Sequence, residues 1–145
     1  QKMNLHTPEV SEFSAVIAKE LKVRKIIKIF QKKYVEQKKT IVLEGRDMSK
    51  IFHNADVKFF VVCKPLKIAA KRRWLQLKNS KKNISLNQVL KDLKKRDFMD
   101  RNRKHSPLER DQESVYINTA KLNIKAVLDK MSKIIGKRLK NKYGS

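Results

Sequence analysis

Glycine and cysteine are scarce in this sequence, and their scarcity limits the chemistry it can carry. Only three of its 145 residues are glycine. The loop G-x-x-x-x-G-K-[ST], whose backbone N–H groups cradle phosphate groups, does not occur among them. Cys63 is the single cysteine, so the chain cannot form an internal disulfide. Because Cys63 follows the apolar run KFFVV, we expect a buried thiol rather than a nucleophile or a metal ligand.

Long apolar runs and paired metal ligands are also missing. The three histidines are dispersed without the spacing of a zinc site, so no metal centre is predicted. No apolar run approaches the roughly 20 residues that span a bilayer, and the first residues lack the apolar core of a secretory signal. These absences predict a soluble, cytoplasmic protein without a membrane partner.

Acidic residues are outnumbered in this chain. There are 37 lysines and arginines against 14 aspartates and glutamates, which gives a formal net charge of +23. Such a chain attracts polyanions, but charge alone does not distinguish nucleic acid, an anionic membrane and a phosphorylated small molecule. The apolar content of 40% is enough for a core, so one folded domain is expected.

Apolar spacing predicts strands that alternate with helices. Thr7 and Pro8 form a good helix start, and Ser85 with Gln88 has the pattern of a capping box. Alternating strands and helices are typical of an α/β fold in which helices flank a parallel sheet. The predicted helices begin near residues 8, 23, 65, 85 and 124, and the predicted strands are 40–45, 57–63 and 114–119.

Arginine is concentrated in one segment of a chain that otherwise uses lysine. Four of its nine arginines fall in or just after RDFMDRNR. If the helix that begins at Ser85 continues, Arg96, Asp100 and Arg103 share one face, and two guanidinium groups would flank one carboxylate. Two interpretations stay open at this point. The segment could be an anion clamp, or it could be a set of surface ion pairs worth about 0.3 to 0.5 kcal/mol each.

A second polar cluster, EGRD, ends the first predicted strand. Ligands of open α/β sheets bind beyond the carboxyl ends of strands, so Arg46 and Asp47 are candidates for a ligand site. Together with RDFMDRNR and the following SPLERDQES, the sequence resembles the cytidylate kinase family, whose members carry a strand ending in GRD, an RDxxDxxR segment and then PL. DVKFFV and AAKRRWLQL match in order and spacing, so the resemblance runs from about Leu5 to Leu139.

The resemblance implies roles for the residues of the arginine-rich segment. In that family, the arginines that match Arg46 and Arg103 hold the phosphate of the substrate nucleotide. The aspartate that matches Asp100 contacts the sugar, supported by the match to Arg96. Arg96 and Arg103 are therefore the expected catalytic residues, because phosphoryl transfer depends on positioning and charge stabilisation.

The resemblance also implies which residues read the base. Arg24 and Asp47 correspond to residues that contact the cytosine edge, which offers an amino donor beside carbonyl and ring acceptors. A carboxylate and a guanidinium complement that edge. The implied substrate-binding residues are Arg24, Arg46, Asp47, Arg96, Asp100 and Arg103.

The activity implied is phosphoryl transfer from ATP to CMP or dCMP with Mg²⁺, by an enzyme that is a monomer when complete. The implied fold is a P-loop nucleoside monophosphate kinase-like parallel sheet. Because no P-loop is found, we expect the chain to be the carboxyl-terminal portion of a longer kinase, incomplete at its N-terminus, so that a further N-terminal segment would be needed. Within one partial domain we assign 5–37 to the helical part of the CMP-binding region, 38–84 to the core, 85–106 to a lid-like segment and 107–145 to a core strand and the last helix.

A non-catalytic basic module that binds nucleic acid and derives from the same fold is the alternative. Modules that bind RNA usually present aromatic stacking platforms. This chain is only 7% aromatic and its strands are predicted to be buried, so nucleic acid is not the expected partner.

Residues 1–145 alone are expected to show negligible phosphoryl transfer. Without a P-loop there is no backbone cradle, lysine or hydroxyl for the ATP phosphates and Mg²⁺, and each lost interaction costs about a hundredfold in rate. ADP formation in the presence of CMP measures this. Robust turnover by these residues alone would contradict the prediction.

Overall fold

The structure is a computed structural model that describes residues 8–17, 20–79 and 84–144. The elements found in these residues are helices and two short strands, in an order that agrees with the α/β pattern predicted from the sequence. Thr7, the predicted cap of the first helix, lies outside the described residues. The elements are α1 (Pro8–Ile17), α2 (Leu21–Glu36), α3 (Met48–Ile51), β1 (Phe59–Val62), α4 (Leu66–Asn79), α5 (Leu86–Asn102), β2 (Val115–Asn118) and α6 (Ile124–Tyr143).

The two strands lie side by side and run parallel. Phe59 is paired with Val115, and Val62 with Asn118. Both strands therefore end at the same edge of the sheet, and the chain crosses from β1 to β2 through α4 and α5. The prediction of a parallel sheet with helical crossovers is confirmed for these two strands.

The predicted strand at residues 40–45 is wrong for the described structure. Residues 41–45 have neither helical nor strand structure, and the side chain of Val42 is 91% exposed. A run of β-branched residues favours an extended backbone, but a strand also needs a neighbour to pair with. In the described residues β1 pairs only with β2, so this segment has no ladder partner.

The apolar core of the described residues lies between α4 and α5. Ala70 and Leu77 of α4 pack with Val89 of α5, and all three are buried. The Trp74 indole adds a polar contact, because Nε1 donates a hydrogen bond to the carbonyl oxygen of Ile84 at 2.9 Å. Partly buried Trp74, Ile84, Leu90 and Leu93 complete the cluster.

Helix α5 begins as the sequence predicts, although the capping box is only half formed. Ser85 Oγ accepts a hydrogen bond from the backbone N–H of Gln88 at 3.1 Å. The Gln88 side chain does not return to Ser85. Its Nε2 donates to Asp92 Oδ1 at 2.8 Å, one turn further along the helix. The single cap bond still fixes where the helix that carries the arginine-rich segment starts.

Much of the remaining apolar surface is exposed. Helix α2 has no buried residue, and Ile26 and Phe30 are 54% and 70% exposed. The strands are also less buried than predicted, since Val61 and Tyr116 are 49% and 40% exposed. Extensive contacts between elements in the described residues are limited to α4 with α5 and β1 with β2, so no second layer covers these side chains. Among the described helices, none is both long enough and apolar enough to cross a membrane.

Replacing Leu77 with Ala should destabilise the fold strongly, because Leu77 is 8% exposed in the α4–α5 core. We expect the free energy of unfolding to fall by about 2 to 5 kcal/mol, the usual cost of a buried Leu→Ala change. Leu75→Ala is the matched control, since Leu75 lies on the same helix and is 45% exposed. Urea unfolding compares the two variants, and equal losses would contradict this location of the core.

Candidate functional site

The arginine-rich segment has an outer and an inner set of charges. On the outer side of α5, Arg101 Nε donates to Asp97 Oδ2 at 2.9 Å, and these side chains are 40% and 44% exposed. This is the surface ion pair that the sequence allowed. On the inner side, the side chains of Asp100 and Arg103 are only 13% and 14% exposed. The segment therefore contains one ordinary surface pair and a second, shielded pair of a different kind.

A turn after α5 fixes the position of Arg103. The helix ends at Asn102, and Arg103 follows with an extended backbone. The chain then folds back, because the backbone N–H of Leu108 donates to the carbonyl oxygen of Asp100 at 2.7 Å. Ser106 has a left-handed backbone with φ of 50°, and its carbonyl oxygen accepts a hydrogen bond from Arg103 Nε. Arg103 is thus held at the end of the helix by its own turn.

Asp100 is bound by a residue from a distant part of the chain. Arg46 Nη1 donates to Asp100 Oδ2, and Arg103 Nη1 lies 3.8 Å from Asp100 Oδ1. The predicted clamp of Arg96 and Arg103 around Asp100 is therefore corrected to Arg46 and Arg103. The helical face alone suggested Arg96, but Arg46 reaches the same carboxylate from the segment after residue 45. Among the described residues Arg96 has no ion pair, although its charge lowers the pKa of Arg46.

Arg24 and Asp47 form a second shielded ion pair. Arg24 lies on α2, and Asp47 immediately precedes α3. Arg24 Nη2 donates to Asp47 Oδ2, and the two side chains are 19% and 12% exposed. Both residues also act on the pKa of Arg103, which Arg24 lowers and Asp47 raises. The two ion pairs therefore belong to one cluster, which contains all six residues implied as substrate-binding.

The cluster has an excess of positive charge. It contains four arginines and two aspartates, so its formal charge is 4 − 2 = +2. Burial, with the charges of Arg96 and Arg103, lowers the pKa of the Arg46 guanidinium to about 10. Burial, followed by the charge of Arg24, also lowers the pKa of Arg103, and Asp47 opposes that shift. Crowded, partly dehydrated cations of this kind favour an anionic ligand.

One donor in the cluster has no partner among the residues that the structure describes. Arg103 Nη2 is buried and makes no hydrogen bond to any of them. Buried polar groups are usually satisfied, and leaving one unpaired costs roughly 1 to 3 kcal/mol. A ligand oxygen at this point would satisfy the donor and would meet the positive charge of its neighbours. The cluster therefore combines a net positive charge with a buried donor that an anionic ligand could satisfy.

The described residues do not form a metal site of their own. In residues 8–17, 20–79 and 84–144 no three side chains of the histidine, cysteine, aspartate or glutamate type come together to hold an ion. Asp47 and Asp100 are instead engaged by arginines. The Mg²⁺ implied by the resemblance therefore does not fit this donor set, and we assign no residue of the described chain to it.

A second polar network lies at the carboxyl edge of the two strands, and the sequence analysis did not identify it. The Asn118 side chain accepts a hydrogen bond from the Lys64 N–H and donates one to the Lys64 carbonyl oxygen, both at 3.0 Å. Arg72 Nη2 donates to the carbonyl oxygens of Thr119 at 2.9 Å and Leu122 at 3.0 Å. These bonds fix the loop after β2 beside the end of β1. The preference for arginine in a lysine-rich helix was the signal that could have drawn attention to Arg72.

Comparisons with known proteins agree with the residues that carry the resemblance. The family model described as Cytidylate kinase matches residues 1–137. The chain is 36% identical over 135 residues to a cytidylate kinase of Clostridium botulinum (strain Loch Maree / Type A3). The aligned residues cover 92% of this chain and 59% of the relative. It is 34% identical over 135 residues to a cytidylate kinase of Syntrophotalea carbinolica, and the aligned residues cover 92% of this chain and 57% of that relative. The corresponding protein of Geobacter sulfurreducens is 33% identical over 135 residues, again with 92% and 57% covered.

The chain thus spans somewhat less than three fifths of the length of these curated relatives. The match nevertheless extends over almost all of the chain, and it includes the GRD and RDxxDxxR motifs that bring the charged cluster together. The chain belongs to the cytidylate kinase family.

Proposed function

We propose that this chain takes part in phosphoryl transfer from ATP to CMP or dCMP, and that it supplies the CMP-binding and lid arginines. The observation that carries the proposal is the meeting of four arginines and two aspartates from three separate segments. Arg24 comes from α2, Arg46 and Asp47 precede α3, and the others lie at the end of α5. Relatives named cytidylate kinase support the same reaction.

Arg46 and Arg103 are proposed to bind the phosphate of CMP. A guanidinium group offers a planar fork of donors that suits two oxygens of one phosphate. Arg103 has a buried Nη2 without a partner, and Arg46 has its pKa lowered by burial and by the neighbouring arginines. A phosphate monoester carries about −1.5 to −2 charges at pH 7, which matches the +2 excess of the cluster.

Arg24 and Asp47 are proposed to read the cytosine edge, and Asp100 to accept a hydrogen bond from a sugar hydroxyl. The cytosine amino group is a donor that a carboxylate can accept, and its carbonyl oxygen is an acceptor for a guanidinium. The charges of Arg24 and Asp47 act on the pKa of Arg103, so base and phosphate would be bound by electrostatically coupled parts of one cluster.

Arg96 and Arg103 are proposed to stabilise charge during transfer. The reaction needs little covalent chemistry, and positioned cations near the transferred group lower its barrier. The charge of Arg96 lowers the pKa of Arg46. Residues 85–106, the lid-like segment, correspond to α5 with its cap and the first residues of the turn. The proposed roles of these arginines do not depend on a protein-bound ion.

The nucleic-acid alternative has less support. The most prominent aromatic pair of the described sheet, Phe60 and Tyr116, has ring centroids 6.4 Å apart, and Arg110 lies 5.5 Å from the Tyr116 ring centroid. Arg110 therefore lies over one face of the Tyr116 ring, although Tyr116 is still 40% exposed. Lysine-rich surfaces bind polyanions without sequence preference, and such binding weakens steeply with salt.

Replacing Arg46 or Arg103 with Lys should weaken CMP binding. A point charge cannot replace the two parallel donors of a guanidinium, so we expect a loss of roughly 1.5 to 3 kcal/mol in binding free energy. Isothermal titration of CMP into each variant measures the loss. Arg101→Lys is the control, because it is the same substitution at an arginine on the exposed side of α5.

Three outcomes decide this test. Unchanged CMP affinity in both Arg46→Lys and Arg103→Lys would contradict the phosphate assignment. Equal losses in Arg101→Lys would show that general charge, rather than the inner cluster, binds the ligand. A wild-type affinity that is the same for CMP and AMP, and that falls steeply as salt rises, would favour the polyanion alternative.

A further inference from the structure

An ion pair outside the charged cluster joins the two segments that carry most of it. Lys50 Nζ of α3 donates to Glu109 Oε2 at 2.8 Å, and the two side chains are 40% and 62% exposed. Lys50 lies four residues after Arg46, and Glu109 lies six residues after Arg103. Neither Lys50 nor Glu109 is one of the six residues of the cluster. The pair therefore connects the two segments without using any group that would bind the ligand.

Lys50 is tied to Arg46 and Asp47 by a compact turn. The backbone N–H of Lys50 donates to the carbonyl oxygen of Asp47 at 3.1 Å. Gly45 leaves room for the Met48 side chain, because a Cβ atom on Gly45 would lie only 2.8 Å from Met48 Cγ. Arg46 lies within this turn. A restraint on Lys50 is thus transmitted through a short stretch of backbone to both site residues.

Glu109 is tied to Arg103 by a turn as well. The residue before Glu109, Leu108, donates its backbone N–H to the carbonyl oxygen of Asp100 at 2.7 Å. Within that turn Arg103 Nε donates to the carbonyl oxygen of Ser106. A restraint on Glu109 therefore acts on the same short segment that fixes Arg103.

We propose that the Lys50–Glu109 pair positions the candidate site, because it holds Arg46 near Arg103 so that one phosphate-bearing ligand can engage both. This inference rests on the proposed function and adds two positioning residues to it. Among the described residues, the ion pairs between the two segments are Arg46–Asp100 and Lys50–Glu109. A ligand that takes Arg46 competes with the first pair, whereas the second pair can persist while the ligand is bound.

The site needs such a restraint, because its two arginines repel one another. The charge of Arg103 is among the causes that lower the pKa of Arg46. Apolar packing does little to oppose their separation, since extensive contacts between elements in the described residues are limited to α4 with α5 and β1 with β2. An exposed ion pair is weak, so the effect expected on binding is modest, about two- to fourfold.

Removing the Glu109 charge separates positioning from general electrostatics. Glu109→Gln makes the protein more positive by one charge, which by itself strengthens the binding of any anion. Loss of the ion pair instead loosens Arg46 relative to Arg103 and weakens the binding of a ligand that needs both. The two mechanisms therefore predict opposite signs for this variant.

The test measures CMP affinity by isothermal titration at one fixed, low salt concentration. Lys50→Met and Glu109→Gln should each bind CMP about two- to fourfold more weakly than wild type. Lys50→Arg keeps the charge, so it should stay within about twofold of wild type. The double variant Lys50→Glu with Glu109→Lys should also return to within about twofold, because it restores the ion pair with its charges exchanged.

Glu113→Gln is the matched control. It removes the same charge from a glutamate that is 74% exposed and pairs with Lys58, at the amino end of the two strands. This variant should bind CMP as tightly as wild type or slightly more tightly. The loss in Glu109→Gln should also shrink as salt rises to about 1 M, where charges at the surface are screened within a few ångströms.

Thermal unfolding of the ligand-free variants distinguishes positioning from a purely structural role. We expect each unfolding midpoint to stay within about 3 °C of wild type, because an exposed ion pair contributes little to global stability. A larger fall that accompanies the loss of affinity would assign the effect to folding and would overturn the inference. Glu109→Gln binding CMP as tightly as wild type, or a charge-exchanged variant no better than the single variants, would overturn it as well.

Failure of the proposed function looks different from failure of this inference alone. If CMP does not bind wild type, the proposed function and the positioning role that rests on it both fail. If CMP binds wild type and binding weakens in Arg46→Lys and Arg103→Lys but not in Glu109→Gln, the proposed function stands and only the positioning role of Lys50 and Glu109 is wrong.

Discussion

Four guanidinium groups held around two shielded carboxylates are the constraint on which the site depends. The positive charges of neighbouring guanidinium groups repel one another, and partial burial strengthens that repulsion because less water screens it. Burial first, and the neighbouring arginines second, lower the pKa values of Arg46 and Arg103. Asp47 and Asp100 offset part of it by direct ion pairs. What remains is an excess of two positive charges at a place where one buried donor lacks an acceptor in the described part of the chain.

The fold brings this cluster together from elements that are held in different ways. Helix α5 is fixed by its packing on α4 and by its Ser85 cap, so the position of its carboxyl end is well determined. Arg103 is then held by the turn that returns through Ser106. The segment with Arg46 and Asp47 has neither a strand partner nor a long helix. It is joined to α5 by the Arg46–Asp100 ion pair.

Local rules predicted most of the elements and only part of the site. Periodicity and caps located α4, α5, α6 and both paired strands, because these depend on neighbouring residues. The segment at residues 40–45 could not be predicted in the same way, since a strand exists only with a partner. Arg46 at Asp100 is a contact between residues 54 positions apart, which no helical spacing reveals. The order of the family motifs, rather than periodicity, brought both residues into one candidate site.

The organisation of the site and the proposed binding of its ligand depend on the same charges. Helix α2 has no buried residue, so Arg24 on α2 is joined to Asp47 by charge rather than by apolar packing. Lys50 of α3 similarly pairs with Glu109, beyond the turn, at 2.8 Å. Ionic links of this kind weaken as salt rises, whereas the α4–α5 core does not depend on them. An anionic ligand bound as proposed would add a further link between Arg46 and Arg103, and would thereby help to hold the segments of the site together.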